Sequence, residues 1–330
     1  MNRRRDLILC TLLCPALPAM AQTRPFRIYM ILYRGETAVE KGFRDYLAQH
    51  KLPVELIVRN IAQDTQQIPK LVDEARSMNV DLIYTWGTPI TLAVVGNYKE
   101  RSAQQHVTDI PILFTMVSSP EASGLVISRN APGRNFTGVV HVVPLEQQLG
   151  AIRAYLPLRR MAVIYNPAEI NSRLNVNELH RAAAHDKFEL IELAIPLDSH
   201  GKPIAATLPA LVNEIARQKP DVLYLRPDTF IAANRKVFTA AALEARLPIF
   251  AATEVALRDG LALFGLVSRY ENVGQLAGRK AEQILIEKRA PQDLPIDTLV
   301  RFSYVVNMTV AKKLDLYPPL KVANYAEIIH

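Results

Sequence analysis

VIYNPAEINS, residues 163–172, passes from a β-branched, aromatic run into Asn166-Pro167 and Glu169, and a long helical pattern follows. An Asn at N-cap accepts a bond from first-turn amides, and a proline at N1 gives up only an N–H that has no intrahelical partner anyway. Asn166-x-x-Glu169 has the spacing of a capping box as well. The stretch therefore reads as a strand handing over to its helix in the middle of a chain of 330 residues. That length exceeds what one core usually supports, so a second α/β unit is expected to begin nearby.

Upstream, short apolar runs recur at 26–33, 54–60, 80–86, 111–117 and 136–143, with amphipathic stretches between them. Near-continuous apolar strands alternating with helical patterns are what a parallel sheet covered on both faces requires. After Pro144 the pattern restarts: helix 145–155, strand 161–166, helix 167–185, strand 188–195, helix 203–218, strand 221–227, helix 229–245 and strand 247–253. The fold class follows as α/β, with two doubly wound parallel-sheet lobes joined by a hinge. The tail adds LALFGLVSRY (261–270), a helix over 271–288, a turn-rich segment and TLVRFSYVV (298–306). The expected division is residues 22–143 plus about 266–290 for the first lobe, 144–265 plus about 291–318 for the second, and a tail over 319–330. Three crossings would span a cleft able to close on a ligand.

The first residues, MNRRRDLILCTLLCPALPAMAQ, carry three arginines, an apolar run and Ala19-Met20-Ala21. They read as a signal peptide, residues 1–21, cut after Ala21, which directs the protein to the periplasm. Arg4-Arg5-x-Leu7-Ile8 is also compatible with twin-arginine export, and Leu9 and Leu13 before Cys10 and Cys14 argue against a lipid anchor. Both cysteines fall in that segment, so the mature chain is expected to lack disulfides and thiolate sites. Loss of Arg3, Arg4, Arg5 and Asp6 takes the formal charge from +7 to +5. Without a basic run of five or more, this excess reads as solvated surface and no nucleic-acid partner is expected. No later apolar run approaches about 18 residues, so the mature chain is expected to be soluble.

Four strand ends share one punctuation. Thr88-Pro89, Ser119-Pro120 and Asn166-Pro167 each set a capping side chain before proline, and Arg226-Pro227-Asp228-Thr229 is a looser version. Helix starts at the carboxyl edge of an open α/β sheet border the crevice where ligands bind, and their free amides suit an anion. Aromatics close several of the same strands: Tyr33, Tyr84, Trp86, Tyr165 and Tyr224. Most such rings are core filling, whereas Trp86, just before Gly87, is placed to project at the strand end. Among charges, Arg34 could clamp a carboxylate, Asp228 or Glu254 could hold an ammonium, and Arg226 stands beside them in sequence. The candidate ligand-binding set is Tyr33, Arg34, Trp86, Thr88, Ser118, Ser119, Asn166, Asn171, Ser172, Asp228 and Glu254.

Dinucleotide, P-loop, serine-hydrolase and zinc-protease motifs are absent from the sequence, so no catalytic residue, cofactor or metal site is expected. His180 and His185, five apart, make a poor metal pair and read as surface histidines.

Taken together, Gly87-Thr88-Pro89, IPILFTMVSSPEASGLVISRNAPGRNFTGVV (110–140), VIYNPAEINS (163–172), DVLYLRPDTFIAANR (221–235), LPIFAATE (247–254) and RYENVGQLAG (269–278) resemble one family in order and spacing. It is the substrate-binding proteins of ABC transporters typified by tryptophan- and phenylalanine-binding members. The resemblance covers essentially the whole mature chain. It implies a type I periplasmic-binding-protein fold, a small-molecule ligand of polar or amino-acid-like character in the interlobe cleft, a monomer, and delivery to a membrane permease and ATPase. Two departures stand out. Ser118-Ser119-Pro120 replaces a frequent Ser-Asp-Pro and so lacks a carboxylate, and Trp86 is bulkier than the small residue usual there, which narrows the pocket. Two other classes share this outline: a sensory subunit feeding a membrane kinase, and a cleft hydrolase using Asp228 and Glu254 as paired carboxylates.

Overall fold

In the computed structural model, which describes residues 24–99 and 106–330, the apolar runs become strands of two separate sheets. The expected signal segment lies outside the described residues. In chain order the strands are β1 Phe26–Leu32, β2 Val54–Asn60, β3 Leu82–Trp86, β4 Ile112–Val117, β5 Phe136–Val140, β6 Arg160–Tyr165, β7 Glu189–Ala194, β8 Val222–Leu225, β9 Ile249–Ala251, β10 Phe264–Val267, β11 Asp297–Thr298, β12 Ser303–Asn307 and β13 Glu327–Ile329. The helices are α1 Ala38–Gln49, α2 Ile68–Ser77, α3 Thr88–Val95, α4 Leu145–Tyr155, α5 Ile170–Asp186, α6 Leu208–Arg217, α7 Thr229–Ala233, α8 Arg235–Glu244, α9 Glu254–Arg258, α10 Tyr270–Leu285, α11 Met308–Leu314 and α12 Leu320–Ala323. Among these, no helix is long and apolar enough to cross a membrane.

The first sheet runs β11-β5-β4-β3-β1-β2, with every pair parallel. The second runs β13-β12-β10-β9-β8-β6-β7, and only β10 with β12 is antiparallel. Period-two alternation sends neighbouring residues to opposite faces. Thus Leu82, Tyr84 and Trp86 enter the core beneath α1 and α10, while Ile83 enters the one on the other side.

Three features differ from the sequence expectation. TLVRFSYVV is not one strand: Thr298 closes β11 in the first sheet, Ser303 opens β12 in the second, and the chain crosses between lobes over 299–302. The cause is a buried cation. Lys280 of α10 is 1% exposed and its Nζ donates to the Pro295 carbonyl at 2.5 Å and pairs with Asp297 at 2.8 Å, holding this segment on the first lobe. Residues 291–298 therefore go with the first lobe, whereas Leu266 and Val267 stay in the second sheet. Nor is 319–330 a tail, since α12 packs on α4 and β13 pairs with β12. The helix expected over 229–245 breaks at Asn234 into α7 and α8.

After β10 the chain returns to the first lobe as α10, which lies along α1 closely enough that neither helix tolerates side chains at three positions. A Cβ on Gly42 would run into the Glu271 carbonyl, one on Gly274 into the Val39 carbonyl, and one on Gly278 into the Tyr46 side chain. Helix propensity alone favours Gly274→Ala by about 1 kcal/mol. We expect the collision to dominate, with a net loss of about 1–3 kcal/mol in urea denaturation; a stability gain would show that the helices can separate freely.

Candidate functional site

The strand ends of both lobes converge on one cavity of about 40 Å³, lined by Arg34, Trp86, Thr88, Met116, Ser118 and His141 from the first lobe. Glu169, Asn171, Pro227, Asp228, Thr229, Ala232 and Thr253 line it from the second, and Tyr270 from the connection between them. Trp86 and Met116 lie within the last two residues of β3 and β4, and most of the others follow strand ends, at the carboxyl edge where an open α/β sheet leaves its crevice.

Local chemistry explains each placement. Gly87, at φ 85° and ψ 161°, holds the N-cap position of α3 that a residue with a Cβ rarely adopts, which moves Thr88 into the first turn. At the end of β4 a bulge breaks the register between Thr115 and Val117, with Met116 at φ 60°. Such a bulge re-aims a side chain, and here Met116 lines the cavity.

The strand-end punctuation proves only partly to be capping. Thr88 lies inside α3 with no side-chain cap bond, and no helix follows Ser119-Pro120, where the Ser123 amide donates to the Ser119 carbonyl in a turn. Asn166 forms a tight turn instead of a helix cap: the Ala168 amide donates to Asn166 Oδ1 at 3.0 Å, and α5 starts only at Ile170. The capping box is not made. Glu169 turns away and its Oε2 accepts from the Thr229 amide at 2.9 Å and the Thr229 hydroxyl at 2.6 Å. Only the loosest of the four motifs is a true side-chain cap, with Asp228 Oδ1 accepting from the Ile231 amide at 2.9 Å.

The two carboxylates of the second lobe differ in what they leave free. Asp228 Oδ2 accepts from the Asn166 amide at 2.9 Å and the Ser172 hydroxyl at 2.6 Å, so both of its oxygens are engaged. Asn166 and Ser172 thus stand behind Asp228 and do not line the cavity. Glu169 Oε1 has no partner. Burial first, then the neighbouring Asp228 charge, pushes the Glu169 pKa up to about 7, and burial also raises that of Asp228.

Opposite them, Arg34 stands over the Trp86 ring, its Cζ 5.2 Å from the centroid, and its Nη1 is buried without a partner. Burial lowers its pKa, against the raising influence of Tyr270 and Glu40. Tyr33 is not among the lining residues, but its ring stacks on Trp86 at 6.3 Å and 14° and its phenol meets Thr229 of the second lobe, with burial first and then the Glu169 and Asp228 charges raising its pKa. His141 is pushed down to about 3 by burial, so its imidazole is neutral at neutral pH, and it meets Tyr270 edge-on at 6.2 Å. Arg226 Nη1, which is ion-paired with Glu178, left aside, six of the eleven buried side-chain atoms with no partner among the described residues belong to this lining: Arg34 Nη1, Trp86 Nε1, Ser118 Oγ, His141 Nδ1, Glu169 Oε1 and Asn171 Oδ1. Native interiors leave few such groups, so their concentration here marks a place built to be completed by something else.

Glu254 takes a different part from the one expected. Its Oε1 accepts from Arg258 at 2.6 Å and Arg269 at 2.8 Å, its Oε2 accepts from the Tyr270 amide at 2.7 Å, and Glu327 on β13 joins both arginines. It therefore braces the second crossing outside the cavity lining, and the buried carboxylate pair is Glu169 with Asp228, not Asp228 with Glu254. Arg226 is spent on Glu178 at 2.9 Å, and Tyr84 and Tyr224 are core residues bonded to Glu40 and Gln148. His180 and His185 pair with the surface carboxylates of Glu192 and Asp186. No group of three or more metal-ligating side chains occurs among the described residues. Sequence reasoning left out Met116, His141, Glu169, Pro227, Thr229, Ala232, Thr253 and Tyr270, which also line the cavity. Glu169 carried a signal that pointed to a cap, while the bulge that re-aims Met116 leaves no mark in the residue pattern.

The family model described as ABC transporter substrate binding protein matches residues 34–329. A tyrosine-binding protein of Clostridioides difficile is 29% identical over 279 residues, covering 84% of this chain and 74% of the relative. Among solved structures, a conserved domain protein of Vibrio cholerae has a TM-score of 0.80 at 23% identity, covering 92% of this chain and 99% of that one. An ABC domain of Streptococcus pneumoniae in complex with L-Trp has a TM-score of 0.79 at 21% identity, covering 93% and 100%. These two likenesses establish the shared fold, two mostly parallel sheets with alternating helices. The extent of the family match, nearly the whole described chain, places this protein in the family of ABC transporter substrate-binding proteins.

Proposed function

We propose that the protein is the periplasmic receptor of an ABC importer and that its cleft takes a zwitterionic, amino-acid-like ligand for delivery to a membrane permease and ATPase. In this role it acts as a monomeric binding protein and not as an enzyme. The observation that carries the proposal is the opposition of unsatisfied groups: Arg34 Nη1 with the Ser118 hydroxyl on one lobe, Glu169 Oε1 with Asn171 Oδ1 on the other. An unpaired buried guanidinium suits a carboxylate, and an unpaired buried carboxylate suits an ammonium. The tyrosine-binding relative and the neighbour solved in complex with L-Trp support an amino-acid ligand.

A ligand that binds only the folded state raises its melting temperature by mass action. We expect at least one amino acid in a panel of zwitterions and simple carboxylates to give such a shift. Arg34→Met and Glu169→Gln should each weaken binding by at least about thirtyfold, the cost of removing one partner of a buried charge pair. Both variants binding as tightly as the parent would remove the basis of the proposal.

The pH dependence has a definite sign. Because the folded-state pKa of Glu169 is raised from 4.5 to about 7, its contribution to stability is complete below about 4.5 and is lost as pH rises through 7. Without ligand, the difference in melting temperature between the parent and Glu169→Gln should therefore turn against the parent between pH 4.5 and 7. Holding an ammonium requires the ionised carboxylate, so binding should strengthen over the same interval and release a proton below pH 7. Calorimetry in buffers of different ionisation enthalpy measures that proton, and a pH-independent affinity would contradict the assignment to Glu169.

A further inference from the structure

The cavity combines a heavy polar load with little room. Six lining residues present a buried polar atom lacking a partner, yet the volume is only about 40 Å³. That is well below the roughly 150 Å³ of a cavity that admits a benzene ring. A ligand that satisfies those atoms within such a space consists mostly of its own polar groups.

The wall that sets this limit is Trp86. Trp86 is 4% exposed, with the Tyr33 ring stacked at 6.3 Å and the Arg34 guanidinium 5.2 Å from its centroid. Its backbone is fixed at the end of β3, where Trp86 pairs with Thr115, and the adjacent bulge brings Met116 into the lining. A buried indole held against a ring and a guanidinium has no low-cost rotamer change that would open the space it fills.

We infer that Trp86, seconded by Met116, caps ligand size, and that this chain takes a small zwitterion such as glycine, alanine or serine in preference to the aromatic amino acids. This inference rests on the amino-acid reading of the same cleft and narrows it. The pocket differs in this respect from what an aromatic side chain needs, since such a ring buries about 150–250 Å² of its own surface.

The test is calorimetric titration of the mature chain and of Trp86→Ala with glycine, L-alanine, L-serine, L-tyrosine and L-tryptophan, with Trp86→Phe as a variant that keeps a ring. The parent should bind a small member at least tenfold more tightly than either aromatic one. Trp86→Ala should lose at least tenfold for the small ligand and gain affinity for an aromatic one, and Trp86→Phe should retain the parent's order. Circular dichroism confirms that each variant is folded. Tyrosine or tryptophan binding to the parent as tightly as the small ligands, or an unchanged size preference in Trp86→Ala, overturns the size limit and leaves the amino-acid reading standing. Silence of the parent and the folded variants toward all five overturns both.

Discussion

The architecture depends on the contact between α1 and α10. More than two hundred residues separate these helices in sequence, yet Gly42, Gly274 and Gly278 let their backbones approach where any Cβ would collide. Because α10 must return to the first lobe, the strand before it ends in the second sheet and the strand after it begins in the first. The chain is thereby committed to crossing between lobes more than once. Tyr270, the first residue of α10, is carried by that return into the lining of the cleft, and Glu254 holds its amide from the other side.

The cleft is organised by a division of labour between two acids. Asp228 spends both oxygens on local donors, so it fixes the Asn166 turn and the start of α7 as one unit. Glu169 is then oriented by Thr229 of that unit through one oxygen and keeps the other free. Burial of two carboxylates side by side costs stability when both are charged, which is the physical source of the raised Glu169 pKa. A cationic group arriving from the ligand offsets that cost, whereas a purely anionic ligand would add to it. The same reasoning gives Arg34 its place, since its charge lies against the Trp86 face with one nitrogen unpaired.

Much of this was legible in the sequence because it depends on short-range rules. The alternation of apolar runs and amphipathic stretches reports parallel sheets directly, and the crevice follows from where such strands end. Arg34, Trp86, Thr88, Ser118, Asn171 and Asp228 were therefore within reach, each next to a strand end. What was not legible depends on partners far along the chain. Glu169 looks like a local cap until Thr229, sixty residues away, supplies a better donor pair. TLVRFSYVV reads as one strand because nothing in its own residues discloses that Lys280 holds Asp297 to the first lobe. Glu254 sits at a strand end like the others, but Arg258, Arg269 and the Tyr270 amide claim its oxygens first.

The central claim is that this cleft holds a small zwitterion with its carboxylate toward the first lobe and its ammonium toward the second. A crystal structure of the protein grown with saturating L-serine or L-alanine tests it most directly. The account predicts one molecule in the cavity, its carboxylate within hydrogen-bond distance of Arg34 and its ammonium within hydrogen-bond distance of Glu169 Oε1, with Trp86 in the rotamer seen here. A ligand bound in the opposite polarity, or outside this cavity, would contradict it.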